Sequence, residues 1–91
     1  MAERYAPQGK LDVAAVSDLH SWLVASKGQD IVLDLKDVSL FGALCLQCCL
    51  VGARSAHAAG HSFEIIGASN AVLSQLSGMG FSPETLSEGV T

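Results

Sequence analysis

The chain has 91 residues, of which 49% are hydrophobic and 15% charged, with a formal net charge of −4. That length makes one domain, residues 1–91, with room for only a small core, and the composition excludes intrinsic disorder, which needs low hydrophobicity and high charge. The five Lys and Arg residues are scattered rather than clustered, which argues against neutralising a phosphate backbone and hence against nucleic-acid binding.

The longest apolar stretch, Phe41 to Leu46, is far too short to cross a bilayer, so no direct membrane insertion is expected. Met1-Ala2-Glu3-Arg4 leads into no apolar segment, so no signal peptide is expected. Three cysteines, Cys45, Cys48 and Cys49, lie within five positions. An odd, tightly clustered set is unlike a secreted disulfide framework, and a cytoplasmic location is expected. The apolar content exceeds what a domain of this size needs for its interior, which points to an apolar patch at the surface for a partner.

In chain order, Glu3 to Ala6 is a weak strand that Pro7 places at a sheet edge. Gln8-Gly9-Lys10 reads as a turn. Asp12 reads as a helix N-cap, its carboxylate accepting amide hydrogens of the first turn. Val16, Leu19 and Leu23 follow at helical spacing, flanked by Ala15 and Trp22, and Gly28 closes the helix. Ile31-Val32-Leu33-Asp34-Leu35 is an almost continuous apolar run, the pattern of a strand covered on both faces. Asp37-Val38-Ser39 leads into a second apolar run, and Gly42 marks the turn into a helix that reaches about Ala59 before Gly60 stops it. Ala43, Leu46, Leu50 and Ala53 form the expected core stripe of that helix. Leu44, Cys48 and Val51 widen its apolar surface, whereas Arg54 and His57 lie in a more polar half. Phe63-Glu64-Ile65-Ile66-Gly67 is a third strand. Ser69 caps a third helix carrying Val72, Leu73 and Leu76. Gly78 to Phe81 reads as a loop with Phe81 tucked back on the core, and the polar tail from Ser82 as a short fourth helix or a frayed end. Alternation of strands and helices predicts an open α/β sheet with parallel neighbours and right-handed crossovers.

Several residue groups have the types, if not the spacing, of chemical sites. Cys45-Leu46-Gln47-Cys48 is a C-x-x-C near a helix start, where the dipole favours a thiolate, but Leu-Gln is not the usual turn-forming pair. Cys45, Cys48 and Cys49 share one helix face at i, i+3 and i+4. Three thiols fall one short of a structural zinc site, and His57 or His61 would have to fold back a long way to complete it. The simpler reading is that these cysteines act as small buried hydrophobes. His20, His57 and His61 have no common spacing and no H-E-x-x-H pattern. Asp34 and Asp37, with Asp30 nearby, flank the end of the central strand, where two carboxylates can hold magnesium. No aspartate pair ends the first strand, so capping and turn roles are the plainer assignment. The glycines make neither G-x-G-x-x-G nor a P-loop. No catalytic residue, metal or cofactor is expected, and the chain reads as a binding module rather than an enzyme. The start of the second helix, Leu40 to Leu50, is apolar on more than one side and fits either a helix buried all round or an exposed docking surface.

From Lys10 to Phe81 the chain resembles the STAS family of anti-sigma-factor antagonists. The resemblance is carried by Gly9-Lys10-Leu11-Asp12, by Asp30 to Leu35, by Asp37-Val38-Ser39-Leu40-Phe41 and by Ala53 to His61. Phe63 to Ser69 and Leu76-Ser77-Gly78-Met79-Gly80-Phe81 complete it. No one piece is specific, and the weight lies in their order and spacing. The resemblance implies an α/β fold with an open mixed sheet of four to five strands and helices packed mainly on one face. It also implies signalling by docking to a protein, often a kinase or anti-sigma factor of GHKL-ATPase fold.

Phosphorylatable members open the second helix with Asp-Ser-Ser/Thr-Gly-Leu. Here Gly42-Ala43-Leu44-Cys45-Leu46 stands in that place, Leu44 replaces the acceptor hydroxyl, and no Ser or Thr lies between Phe41 and Gly52. The module is therefore expected not to be phosphorylated there. Gly42-Ala43-Leu44-Cys45-Leu46-Gln47 looks like a subgroup associated with bacterial chemotaxis genes. The expected partner surface is Ser39, Leu40, Phe41, Gly42, Ala43, Leu44, Gln47 and Cys48, and a homodimer through the same apolar helix is compatible with it. Two other classes remain open at this point: a small STAS subunit of an ABC-type lipid transporter, and a redox or metal protein built on the cysteine cluster.

Overall fold

The structure, a computed structural model, describes residues 3–89. In chain order its elements are β1 (Glu3–Tyr5), β2 (Gly9–Leu11), a 3-10 turn (Val13–Ala15), α1 (Val16–Ala25), β3 (Ile31–Asp34), β4 (Val38–Phe41), α2 (Ala43–Ala58), β5 (Phe63–Ile66), α3 (Asn70–Gly78) and α4 (Pro83–Glu88). This is an α/β fold with five strands in two small sheets, ordered β1-β3-β5 and β2-β4. Each ladder among the described residues is parallel. The single mixed sheet expected from the sequence is thus replaced by two short parallel ones.

Of Gln8-Gly9-Lys10, expected as a turn, Gly9 and Lys10 instead belong to β2, which pairs with β4 with a register shift between them. Pro7 does leave β1 at an edge, beside β3 alone. Asp12 caps as expected, accepting the Ala14 amide at 3.1 Å, but it caps the 3-10 turn. Helix α1 starts only at Val16 and ends before Gly28, which follows it with φ +85°. Ser69 caps α3 through the Val72 amide, and Ser82 forms a capping box with Thr85 on α4.

The order β1-β3-β5 decides where the helices go. Both crossovers step the same way across the sheet, so two right-handed connections place α1 and α2 on the same face, running in the same direction. That face carries Leu33, paired in register with Tyr5 and Ile65, and Ile31, paired with Phe63. The burial of β5 alternates accordingly: Phe63 and Ile65 are buried, Glu64 and Ile66 exposed. On the opposite face of β3, Val32 is only half-buried, which corrects the expectation of a strand fully covered on both sides.

The core joins Leu19 and Leu23 of α1, Leu33 and Leu35, Phe41, Cys45, Cys49 and Ala53 of α2, Val72 and Leu76 of α3 and Leu86 of α4. Gly52 is what lets α1 approach α2 closely, since a Cβ there would meet Leu23 Cδ1 at 3.3 Å and Phe63 Cε2 at 3.4 Å. Trp22 stacks on Tyr5 with ring centroids 4.9 Å apart. Helix α4 is held to α2 at both a buried and a polar level. Leu86 is fully buried, the Arg54 Nε–H donates to the Gly89 carbonyl at 2.9 Å, and His57 Nε2 meets the Ser87 carbonyl at 2.7 Å.

Candidate docking site

The residues ahead of α2 are positioned by three elements. The Gly42 amide donates to the Leu11 carbonyl at 2.9 Å, tying the start of α2 to β2. The Phe41 amide donates to Gln75 Oε1 of α3. The Cys45 thiol reaches the Asp12 carbonyl at 3.6 Å. Gly42 then stands as the N-cap residue in extended conformation, with no side chain to supply a capping acceptor.

The expected partner residues separate by exposure. Ser39, Leu40, Ala43, Leu44 and Gln47 are exposed, while Gly42 and Cys48 are half-buried. Leu44 is 47% exposed, a large apolar side chain left in solvent on the first turn of α2. Phe41 differs: at 2% exposure it points inward and is the support beneath the surface, which corrects its assignment as a contact residue. Ala43, expected in the core stripe, is exposed, and Cys45, Cys49 and Ala56 take the buried side of α2 with Leu46, Leu50 and Ala53. The question of whether this helix start is buried all round or exposed is thereby answered: one side is core and the other is surface.

The sequence alone missed Gln75. Its carboxamide oxygen satisfies an edge-strand amide that no neighbouring strand reaches, and so fixes the loop from β4 into α2. Replacing Gln75 with Leu leaves that amide without its acceptor. The expected loss is about 1–3 kcal/mol in urea unfolding, with faster amide exchange at Phe41.

Cys45 and Cys49 are packing residues of the core, whereas Cys48 is half-buried at its edge. Cys45 and Cys49 are fully buried, and burial pushes all three thiols above their ordinary value, most strongly at Cys49. A thiol held in its neutral form is a poor nucleophile and a poor metal ligand. Among the described residues no three His, Cys, Asp or Glu side chains converge as metal ligands.

The aspartates are used structurally. Asp30 accepts the Ser62 amide at 2.9 Å and lies 3.4 Å from His61 Nδ1. The Ser62 amide, followed by His61, holds its carboxyl below the usual value against a smaller opposing effect of burial. Asp34 accepts the Lys36 amide at 3.0 Å and pairs with Arg4. The Lys36 amide first, then the Arg4 guanidinium, depresses its carboxyl in the same way. Asp37 is exposed, and its backbone carbonyl accepts the Gly9 amide at 2.9 Å.

Beside the start of α2 lies a groove of about 640 Å³ between α1 and α2. Leu44, Gln47 and Cys48 line it from α2 and Val16 and His20 from α1, with Ile31 in the lining from β3. Val24 and Val51 rise on its two rims, 58% and 64% exposed. The sequence signal for the α1 rim is Val16, His20 and Val24 at spacings of four, a helical stripe beside the buried one in which His20 and Val24 are exposed and Val16 half-buried. None of the described helices is long and apolar enough to cross a membrane. No family model matches the chain, and no curated protein matches it.

Proposed function

We propose that this chain is a non-catalytic STAS-like interaction module of bacterial signal transduction, which docks a protein partner through the start of α2. The observation that carries the reading is Leu44. It stands where phosphorylatable STAS members keep their acceptor hydroxyl, and it is 47% exposed on the first turn of the helix. An exposed leucine costs hydration free energy until something covers it. Ser39, Leu40, Ala43 and Gln47 surround it in solvent. The alternation of strands and helices, with α1 and α2 packed together on the β1-β3-β5 sheet, supports the same reading at the level of an α/β fold. With no hydroxyl at this position, docking is constitutive with respect to phosphorylation there, and its regulation lies with the partner or with abundance. The partner class that fits is a GHKL-type kinase or anti-sigma factor, or a chemotaxis component.

The test is affinity capture of the tagged protein from its native host, with the captured proteins identified by mass spectrometry. Leu44→Glu places an unpaired carboxylate in the interface. It is expected to weaken the partner by at least about 2 kcal/mol, or about 30-fold in Kd, with an unchanged circular dichroism spectrum. A partner retained at full affinity by Leu44→Glu overturns the surface assignment. Capture of a transport ATPase in place of a signalling protein overturns the signalling assignment and moves the module to lipid transport.

A further inference from the structure

The groove between α1 and α2 extends well beyond the docking residues. On α2 its lining continues from Leu44 through Val51 and Ser55 to Ala59 at the helix's C-cap. On the other side it continues from Val16 through Val24 of α1 to Lys27 in the turn after it. Both walls are helical only over the 10 residues of α1, so the groove is about 15 Å long between the two helices, enough for nearly three turns of another helix.

We propose that this groove receives an amphipathic helix of the partner, one that carries an apolar stripe at i, i+3 or i+4, and i+7 and an acidic flank. The inference rests on the docking role of α2 and specifies what docks. Three features of the groove select this occupant. First, α1 and α2 run in the same direction with apolar rims, the arrangement into which the ridge of a third helix packs. Val24 and Val51 stand up on opposite rims, more than half exposed, where a partner's side chains can fill the space between them. Second, the charge is one-sided. The one ionised side chain in the lining is Lys27, and no carboxylate lines the groove, although the chain as a whole carries −4. Lys27 forms no ion pair among the described residues. An acidic flank is the complement that steers such a helix into register. Third, the other two occupants fit less well. A second copy related by a two-fold axis would bring the same patch, which has no carboxylate to meet Lys27. An acyl ligand needs a site that closes over most of its surface, and the exposed rims leave this groove open along its length.

The experiment uses two 16-residue synthetic peptides with the same leucine stripe, one with glutamates and one with lysines on its flanks, each titrated into the whole protein by fluorescence anisotropy. The glutamate peptide is expected to bind at least about 10-fold more tightly at low salt, with the preference shrinking as salt screens it. Val51→Glu is expected to weaken the glutamate peptide at least about 10-fold, and Lys27→Glu to reverse the preference between peptides. Val24→Glu, on the other rim, repeats the Val51 test should that variant alone lose its fold. Equal binding of the two peptides overturns the proposal, as does a glutamate peptide indifferent to both rim variants. Sedimentation showing a dimer that Val51→Glu dissociates assigns the groove to a second copy, and tight binding of laurate that displaces the peptide assigns it to an acyl chain. Either outcome overturns the proposal. The two readings fail separately. Should the peptides fail while Leu44→Glu still releases the captured partner, docking through α2 stands and only the helical occupant falls.

Discussion

Phe41→Ala is expected to lower the unfolding free energy by about 3–5 kcal/mol, as judged by the urea midpoint. The adjacent Leu40→Ala is expected to change it by no more than about 0.5 kcal/mol. Phe41 is 2% exposed and Leu40 36%, so two neighbours in one strand differ sharply in cover, with Val38 and Phe41 buried and Ser39 and Leu40 exposed. For a domain of this size, whose total stability is about 5–15 kcal/mol, the first loss threatens folding itself. Phe41 also holds the segment that leads into α2, so its truncation is expected to weaken partner binding indirectly, whereas Leu40→Ala acts on binding alone. Equal losses of stability from the two variants would contradict the placement of Phe41 in the core and with it the geometry of the docking surface.

The second large effect is expected at Gly67, which follows β5 with φ +73°. A β-carbon there would lie 2.5 Å from Asp34 Oδ1 and 3.1 Å from the Lys36 amide nitrogen. Gly67→Ala therefore combines a left-handed backbone, worth about 1–2 kcal/mol, with displacement of the carboxylate that joins Arg4 and the Lys36 amide. The expected loss is about 2–3 kcal/mol in total. Gly78→Ala is the control: it closes α3 without a positive φ, and nothing lies within 4 Å of a β-carbon there. It is expected to leave stability unchanged or to raise it by up to about 1 kcal/mol. Because the carboxyl of Asp34 is held below its ordinary value, its contribution is present above the unfolded carboxylate range. That contribution is lost as the pH falls through the lowered value. The acid sensitivity of Gly67→Ala is expected to be smaller than that of the parent chain, because the displaced carboxylate has less to lose. A Gly67→Ala chain as stable as the parent would contradict the packing of β5 against Asp34.

The residues show which parts of this architecture are written locally. Ile31 to Leu35 and Phe63 to Ile66 are visible as strands because their apolar density leaves few alternatives. The ends of α2 are visible because Gly42 and Gly60 bracket a helical pattern. The strand β2 is not visible, because three residues with a glycine show no period, and only pairing with β4 makes Gly9–Leu11 a strand. Spacing alone puts Ala43 in the core, yet it is exposed. A helix of this composition is apolar on several sides, and the sheet, not the period, decides that Cys45 and Cys49 face inward. Gln75 acts on Phe41 across 34 positions, a separation that no local pattern reports. Leu44 was legible as a candidate because it departs from a hydroxyl pattern. The groove was not, since it exists only once α1 and α2 lie side by side.

The central claim is that the α1–α2 side of the molecule binds the partner through the start of α2. It is tested most directly by the affinity of the captured partner for two variants measured side by side, Leu44→Glu and Ile66→Glu. Ile66 is 37% exposed on the opposite sheet face, so it receives the same charge away from the proposed surface. The expected result is a loss of about 30-fold or more for Leu44→Glu and less than about 3-fold for Ile66→Glu. The reverse order, or equal losses, would place the partner elsewhere and contradict the claim.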